Sequence, residues 1–394
     1  MMDSQKTGII LLIKSALTGE KYTLPEDFDI EAAARVAKKH QIIALFYYGA
    51  LNCGISEALP VMQNLFMLTC QLMALSERQN FEINSLFKAF EENKIDYLPL
   101  KGTLLKKLYP KPEMRTMSDA DILIRTEQYD NIKPIMLELG YGGEYESDHE
   151  FAWNKKNVVI ELHKRLIPSY NKDYYEYYGD GWRLAQPSLK DNTCYEMSAE
   201  DEMIYNFTHY AKHYRDAGVG IKHIVDLWVY KINNPKLDND YILSELKKLQ
   251  LDVFYENTMK TLENWFNSGK ANEQTEFITQ IIFGSGVYGT HEAHLLSAAV
   301  KSSKSLGTSQ KTRAKRIIDT IFLPYSSMKE RYEVLKKAPI LLPFMWVVRW
   351  FEAIFIRKGS IKYNQRRLKI LSTENINDYQ SALNFVGLDF NFKE

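Results

Sequence analysis

At 394 residues, with 45% hydrophobic and 25% charged side chains, the chain is long enough for two or three domains and has the composition of a globular protein with a sizeable core. Fifty basic residues balance fifty acidic ones, which excludes a global field drawing the chain to nucleic acid or an anionic membrane and leaves only local patches for such partners. The three cysteines, Cys53, Cys70 and Cys194, are too few and too scattered for a disulfide framework or a zinc pattern, and they fit a reducing, cytoplasmic setting.

Gly8 to Leu17 is mildly apolar but is interrupted by Lys14 and has neither a basic lead-in nor a small-residue cleavage site. It reads as an amphipathic helix and not as a targeting segment. Asp29 to Leu51 continues the helical pattern and Gly54 closes it, while Ala58 to Asn93 is a long helix with Leu65, Leu68, Leu72 and Leu75 along one side. Residues 1–93 are therefore expected to form an N-terminal helical lobe.

From 94 to 170 the pattern changes to short strands alternating with helices. Ile95 to Leu100 is an apolar run that predicts a buried strand ending at the turn Lys101-Gly102-Thr103. Leu104, Leu105 and Leu108 then predict a helix from Thr103 to Tyr109, stopped by Pro110 and Pro112. Asp119 to Ile124 enters a second strand, where period two sends Asp119 and Asp121 to the same face. Glu127 to Leu139 predicts another helix, ended by Gly140. Glu150 to Trp153 and Val158 to His163 pair as a hairpin about Lys155-Lys156-Asn157, with Glu161, His163 and Arg165 sharing one parity.

Two carboxylates beside a glycine turn suit a hard divalent cation, which takes oxygen ligands and favours one or two carboxylates plus substrate phosphates. A nucleoside triphosphate would complete such a site. Gly102 and Thr103 can bring backbone N–H groups and a hydroxyl to phosphate oxygens at a helix start. Lys101 and Arg115 can neutralise developing charge.

At Leu100, Lys101, Gly102, Arg115, Ser118, Asp119 and Asp121 the sequence resembles the nucleotidyltransferase superfamily that includes DNA polymerase beta. The closer resemblance is to its uncharacterised bacterial branch, related to AbiEii-type toxin enzymes. It departs from the broader superfamily in carrying Thr103 where Ser is usual and in a longer insert before the aspartates. The resemblance implies a third carboxylate from a later strand, and the Glu-Leu-His triplet assigns it to Glu161. Asp119, Asp121 and Glu161 are thus the expected catalytic and metal residues, for Mg2+ or Mn2+. Lys101, Gly102, Thr103, Arg115, Ser118 and His163 are the expected nucleotide contacts.

Residues 171–394 read as a C-terminal helical domain. Tyr170 to Tyr178, rich in tyrosine and charge, fits a connector or a lid better than a core helix. Ser198 caps a helix that runs to His213 and carries His209 and His213 four apart, with Asp226 on the next helix. That spacing can face one metal, but no third ligand of the usual kind follows. Because the resemblance extends to these three residues, they are expected to brace the helical domain against the active site or to help hold the nucleotide. Phe283 to Thr290 formally matches a dinucleotide glycine fingerprint but lacks the strand that it requires, so it reads as a loop. Lys301 to Arg316 holds six basic residues and no acidic one, and reads as a surface loop able to attract phosphate or RNA. Ile340 to Ile356 is the most apolar stretch, yet Pro343, Arg349 and Glu352 argue against a membrane span. A buried helix is expected there, with peripheral membrane contact by 340–358 as the other reading.

The expected fold is α+β, a small polymerase-beta-like mixed-sheet core flanked by N- and C-terminal helical regions. Its expected activity moves a nucleotidyl group from a nucleoside triphosphate, ATP or another, to an unidentified acceptor hydroxyl on a small molecule, RNA or protein, releasing pyrophosphate. A toxin-like enzyme that modifies tRNA and a non-catalytic nucleotide-binding module are the alternatives.

Overall fold

The computed structural model describes residues 3–189, 192–287, 289–306, 322–323, 325–351 and 370–389. The chain divides into two compact units, one of Met1–Tyr214 with Val219–Tyr288, the other of Arg215–Gly218 with Gly289–Phe392.

The first unit opens with helices α1 (Ser4–Thr18), α2 (Ile30–Lys39), α3 (Ile43–Asn52) and the 33-residue α4 (Pro60–Glu92). The sequence predicts one helix across α2 and α3, and the structure corrects this. His40 is fully buried with its Nδ1 accepting the Ile221 N–H at 3.1 Å, and Gln41 turns to φ 55°, so a long-range contact breaks the helix. Strands β1 (Tyr97–Pro99), β2 (Ala120–Ile124), β3 (Gly142–Glu146), β4 (Glu150–Lys155) and β5 (Val158–His163) follow. They form a five-stranded sheet in the order β1-β2-β5-β4-β3, with β2 and β5 parallel and the other neighbours antiparallel. The fold class is α+β, a mixed sheet flanked by helices, as expected.

Side-chain alternation decides what each face of this sheet does. Ala120, Ile122, Ile124, Val158, Ile160 and Leu162 face one way and pack with Ile83, Leu86 and Phe90 of α4 and with Ile132 and Met136 of α6 (Tyr129–Glu138). Each fully buried aliphatic side chain contributes about 1.5–3 kcal/mol from removal of apolar surface from water. The intervening residues of the opposite parity are Asp121, Glu161 and His163. A core on one face thereby fixes a polar array on the other.

The predicted helix after β1 is shorter than expected: α5 spans only Gly102–Leu105 and tightens into a 3-10 turn at Lys106–Leu108. Tyr170 to Tyr178 is also corrected, since α7 (Lys172–Tyr178) is a helix that buries Tyr174 and Tyr178, the latter hydrogen-bonding Thr208 at 2.8 Å. A small second sheet pairs β6 (Gln186–Pro187) with β7 (Tyr195–Glu196). Five further helices complete this unit: α8 (Ala199–Asp216), whose last residues lie in the second unit, then α9 (Ile221–Asn233), α10 (Asn239–Lys248), α11 (Asp252–Phe266) and α12 (Glu273–Gly284). Asn272 and Thr275 form a capping box at the start of α12, so the glycine-rich stretch follows a helix and not the strand that a dinucleotide fold needs.

The second unit contains α13 (His291–Leu306) and helices at Tyr325–Arg331, Val334–Lys337, Leu342–Phe351 and Thr373–Phe385. The basic stretch expected as a loop begins inside α13, and 307–316 lie outside the described residues. Within 340–351, Ile340 and Phe344 are 88% and 64% exposed, contrary to the expected buried helix, and 352–358 lie outside the described residues. No helix among the described residues is long and apolar enough to cross a membrane.

Candidate active site

The polar face of the sheet opens on a cavity of about 470 Å³ within the first unit, a size that suits a small-molecule ligand. Lys101, Gly102, Arg115, Ser118, Asp119, Asp121, Glu161 and His163 all line it. Asp121 and Glu161 are Cα partners across the parallel β2–β5 pair, so the backbone ladder sets their spacing. Asp119 lies one residue before β2 and joins them. Ligand atoms of Asp121, Glu161 and His163 fall within 4.8 Å of one another, which makes a three-point cradle for a cation.

Asp121 is the hub. Its Oδ1 accepts from Lys101 Nζ at 2.9 Å and meets His163 Nε2 at 2.9 Å. Burial opposes its ionisation, but the Lys101 ammonium and the His163 hydrogen bond outweigh burial and hold its carboxyl well below the usual range. The same contacts act in reverse on the partners: burial disfavours charge on Lys101 and His163, yet the adjacent carboxylates raise both. For Asp119 the nearby Lys101 and Lys222 charges only partly offset the opposing effects. Burial and the charges of Asp121 and Glu161 push it up to about 6. Three carboxylates gathered with one imidazole make a donor set that fits a divalent cation.

The turn that brings Lys101 to Asp121 has an uncommon backbone. Lys101 sits at φ 43°, ψ −114°, in a region costly for a side-chain-bearing residue, and the strain lies where the ammonium is aimed. Gly102 is required for a different reason. A Cβ there would lie 2.4 Å from Arg115 Nη1 and 2.9 Å from the Met117 sulfur.

Arg115 is 8% exposed and forks onto Asp226 of α9, Nε to Oδ1 at 3.1 Å and Nη2 to Oδ2 at 3.0 Å, while Tyr109 donates to the same carboxylate at 2.7 Å. A buried guanidinium stripped of its partner would be costly, so the pair ties α9 to the segment before β2. Arg115, an expected nucleotide contact, lines the cavity with its charge paired to Asp226. Thr103, also expected there, is not among the residues that line it. Its hydroxyl is buried without a hydrogen-bond partner, and the residue lines a separate small pocket with Asn80 and Lys107. Arg165 pairs with Asp148 at 3.8 Å and does not line the cavity.

Opposite the sheet, α8 and α9 supply His209, Lys212, His213, Lys222 and His223. His209 and His213 meet at 3.1 Å between Nε2 atoms, and they belong to no group of three close metal donors among the described residues. Burial drives His209 and His223 well below the ordinary histidine value, and burial with the Arg115 charge brings Lys222 down to about 8. The cavity thus has an acidic floor and a nitrogen-rich roof. Sequence reading missed Lys222, His149 and Glu150. The last was within reach, since a two-residue turn at Lys156-Asn157, both at positive φ, pairs Lys155 with Val158 and hence Glu150 with His163.

A five-stranded mixed sheet with converging carboxylates over a nucleotide-sized cavity defines an α+β protein with a cation-ready acidic site. Residues 26–267 match the model of a family described as uncharacterised nucleotidyltransferase. The chain belongs to that family, and so to the transferases, for which a nucleoside triphosphate is the implied substrate and a divalent metal the usual cofactor. No curated protein matches the chain. The solution structure of the antibiotic-resistance factor ANT(2'')-Ia is similar at 14% identity over 48% of this chain and 97% of that one, with a TM-score of 0.33.

Proposed function

We propose that the cavity transfers a nucleotidyl group from a nucleoside triphosphate to an acceptor hydroxyl with release of pyrophosphate, Mg2+ or Mn2+ assisting. The observation that carries this reading is the convergence of Asp119, Asp121 and Glu161 on one cavity beside the Gly102 turn. In this reading residues 94–170 are a polymerase-beta-like catalytic core and the helical regions 1–93 and 171–394 complete the substrate pocket. Asp119, Asp121 and Glu161 hold the cation, which would screen triphosphate charge and favour the acceptor alkoxide. Lys101 holds Asp121 ionised at 2.9 Å and would lend its ammonium to neutralising the phosphates. Gly102 lets the chain pass close to the triphosphate, with Ser118 beside it. Arg115, Lys222 and Lys212 line the cavity and would neutralise phosphate charge.

Purified protein incubated with Mg2+ or Mn2+, each labelled triphosphate in turn and small-molecule, RNA and protein acceptors should release pyrophosphate and label one acceptor class. A folded Asp119→Ala variant should lose more than about a hundredfold in rate. Undiminished transfer by that variant would defeat the reading.

A further inference from the structure

Beside the carboxylate cradle, and sharing His163 with it, lies a second group of metal-type donors that adds His149 and Glu150. His149 Nε2 is 2.9 Å from Glu150 Oε2, Glu150 Oε2 is 4.0 Å from His163 Nε2, and the three donor atoms lie within 4.8 Å of one another. Ligands held at about 2.1 Å around one cation stand roughly 3–4 Å apart, so these separations already match a ligated set. The β4–β5 ladder fixes Glu150 opposite His163, and His149 precedes β4 by one residue.

One contact outside the group points the same way. His149 Nδ1 is backed by the Ser147 hydroxyl at 3.4 Å, the outer contact that orients a ligating imidazole with its Nε2 forward. His163 is 3% exposed, and its Nε2 faces Asp121 at 2.9 Å, Glu161 at 3.7 Å and Glu150 at 4.0 Å, so it stands where the two donor groups meet.

We infer that His149, Glu150 and His163 form a second cation position, which shares His163 Nε2 with the carboxylate cradle so that one ion at a time takes that nitrogen, and which takes a first-row transition divalent ion such as Zn2+ or Mn2+ in preference to Mg2+. Two imidazoles and one carboxylate make a borderline-soft nitrogen-rich set, while Mg2+ prefers an all-oxygen octahedron. All three donors line the same cavity as Asp119, so an ion there sits at the edge of the substrate space, and the site stands whether or not the cavity transfers nucleotide.

The test is calorimetric titration of chelator-stripped full-length protein with Zn2+, Mn2+ and Mg2+ separately, repeated on His149→Ala, Glu150→Gln and Asp119→Asn variants whose thermal unfolding shows them folded. Zn2+ should bind in the presence of excess Mg2+, and His149→Ala and Glu150→Gln should each weaken it at least about tenfold. Asp119→Asn should leave Zn2+ binding in place while removing transfer, which separates failure of this site from failure of the transferase reading. Co2+ loaded in place of Zn2+ should give a visible d–d absorption that His149→Ala removes. Zn2+ affinity unchanged in both triad variants, or complete displacement of Zn2+ by Mg2+, would overturn the inference.

Discussion

Gly102 shows how a single missing methyl group organises the site. The Arg115 guanidinium occupies the space that a Cβ would take, 2.4 Å from its ideal position, and it is held there by Asp226 and not by a ligand. Gly102→Ala should therefore cost about 1–3 kcal/mol from overpacking, seen as a lower midpoint in thermal unfolding, and should displace Arg115 from the cavity wall. The expected contrast is Gly142→Ala, where a Cβ meets nothing within 4 Å and the midpoint should barely move. That Asp119, Asp121 and His163 meet at one cavity was legible because residue type and strand parity are local properties, while Glu161 was singled out by the family resemblance. The placement of Thr103 and the partner of Arg115 were not legible. Whether a hydroxyl faces the cavity or the α4 side, and whether a guanidinium is already paired, depends on contacts more than a hundred residues away in the case of Asp226.

At the level of elements, α8 carries a charge problem of its own. Burial raises Glu202 to about 7, with one carboxylate oxygen left without a partner. The folded state thus keeps a proton that the unfolded chain sheds near pH 4.5, and between those values folded protein binds more protons than unfolded protein. Stability contributed by that proton is present at low pH and falls as pH rises toward 7. Glu202→Gln should raise stability at pH 8 by up to about 3 kcal/mol relative to wild type, and by little at pH 5, as measured by urea unfolding at both values. The helices themselves were mostly legible: α1, α4 and α8 follow apolar spacing, and α8 starts at the Ser198 cap. The break between α2 and α3 was not, because His40 is drawn inward by the Ile221 N–H, a partner that local periodicity does not register. The tyrosine-rich α7 was misread for a similar reason, since Tyr178 is accepted into the core only with Thr208 to satisfy its hydroxyl.

On the scale of the whole molecule, the described cavity is lined entirely by residues of the first unit. A chain ending at residue 288 should fold with a single cooperative transition and retain divalent-cation binding within a few-fold of the full chain, testable by circular dichroism and calorimetry. Loss of cation binding on that truncation would mean that residues after 288 support the site. The α+β class was readable from the change of pattern near residue 94. The strand order was not, because β3 carries a glycine-rich, exposed sequence with no buried face and no apolar alternation to announce it.

The parallel pairing of Asp121 with Glu161 has a consequence for how this protein can change over generations. Between those strands lie α6 and the β3–β4 hairpin, where added or lost loop residues leave the β2–β5 ladder intact. A single residue inserted within β5 is another matter: it would turn Ile160 or Leu162 toward the cavity and drive a carboxylate into the apolar layer against α4. Length variation among kindred chains should consequently gather at the edge of the sheet and vanish along its centre.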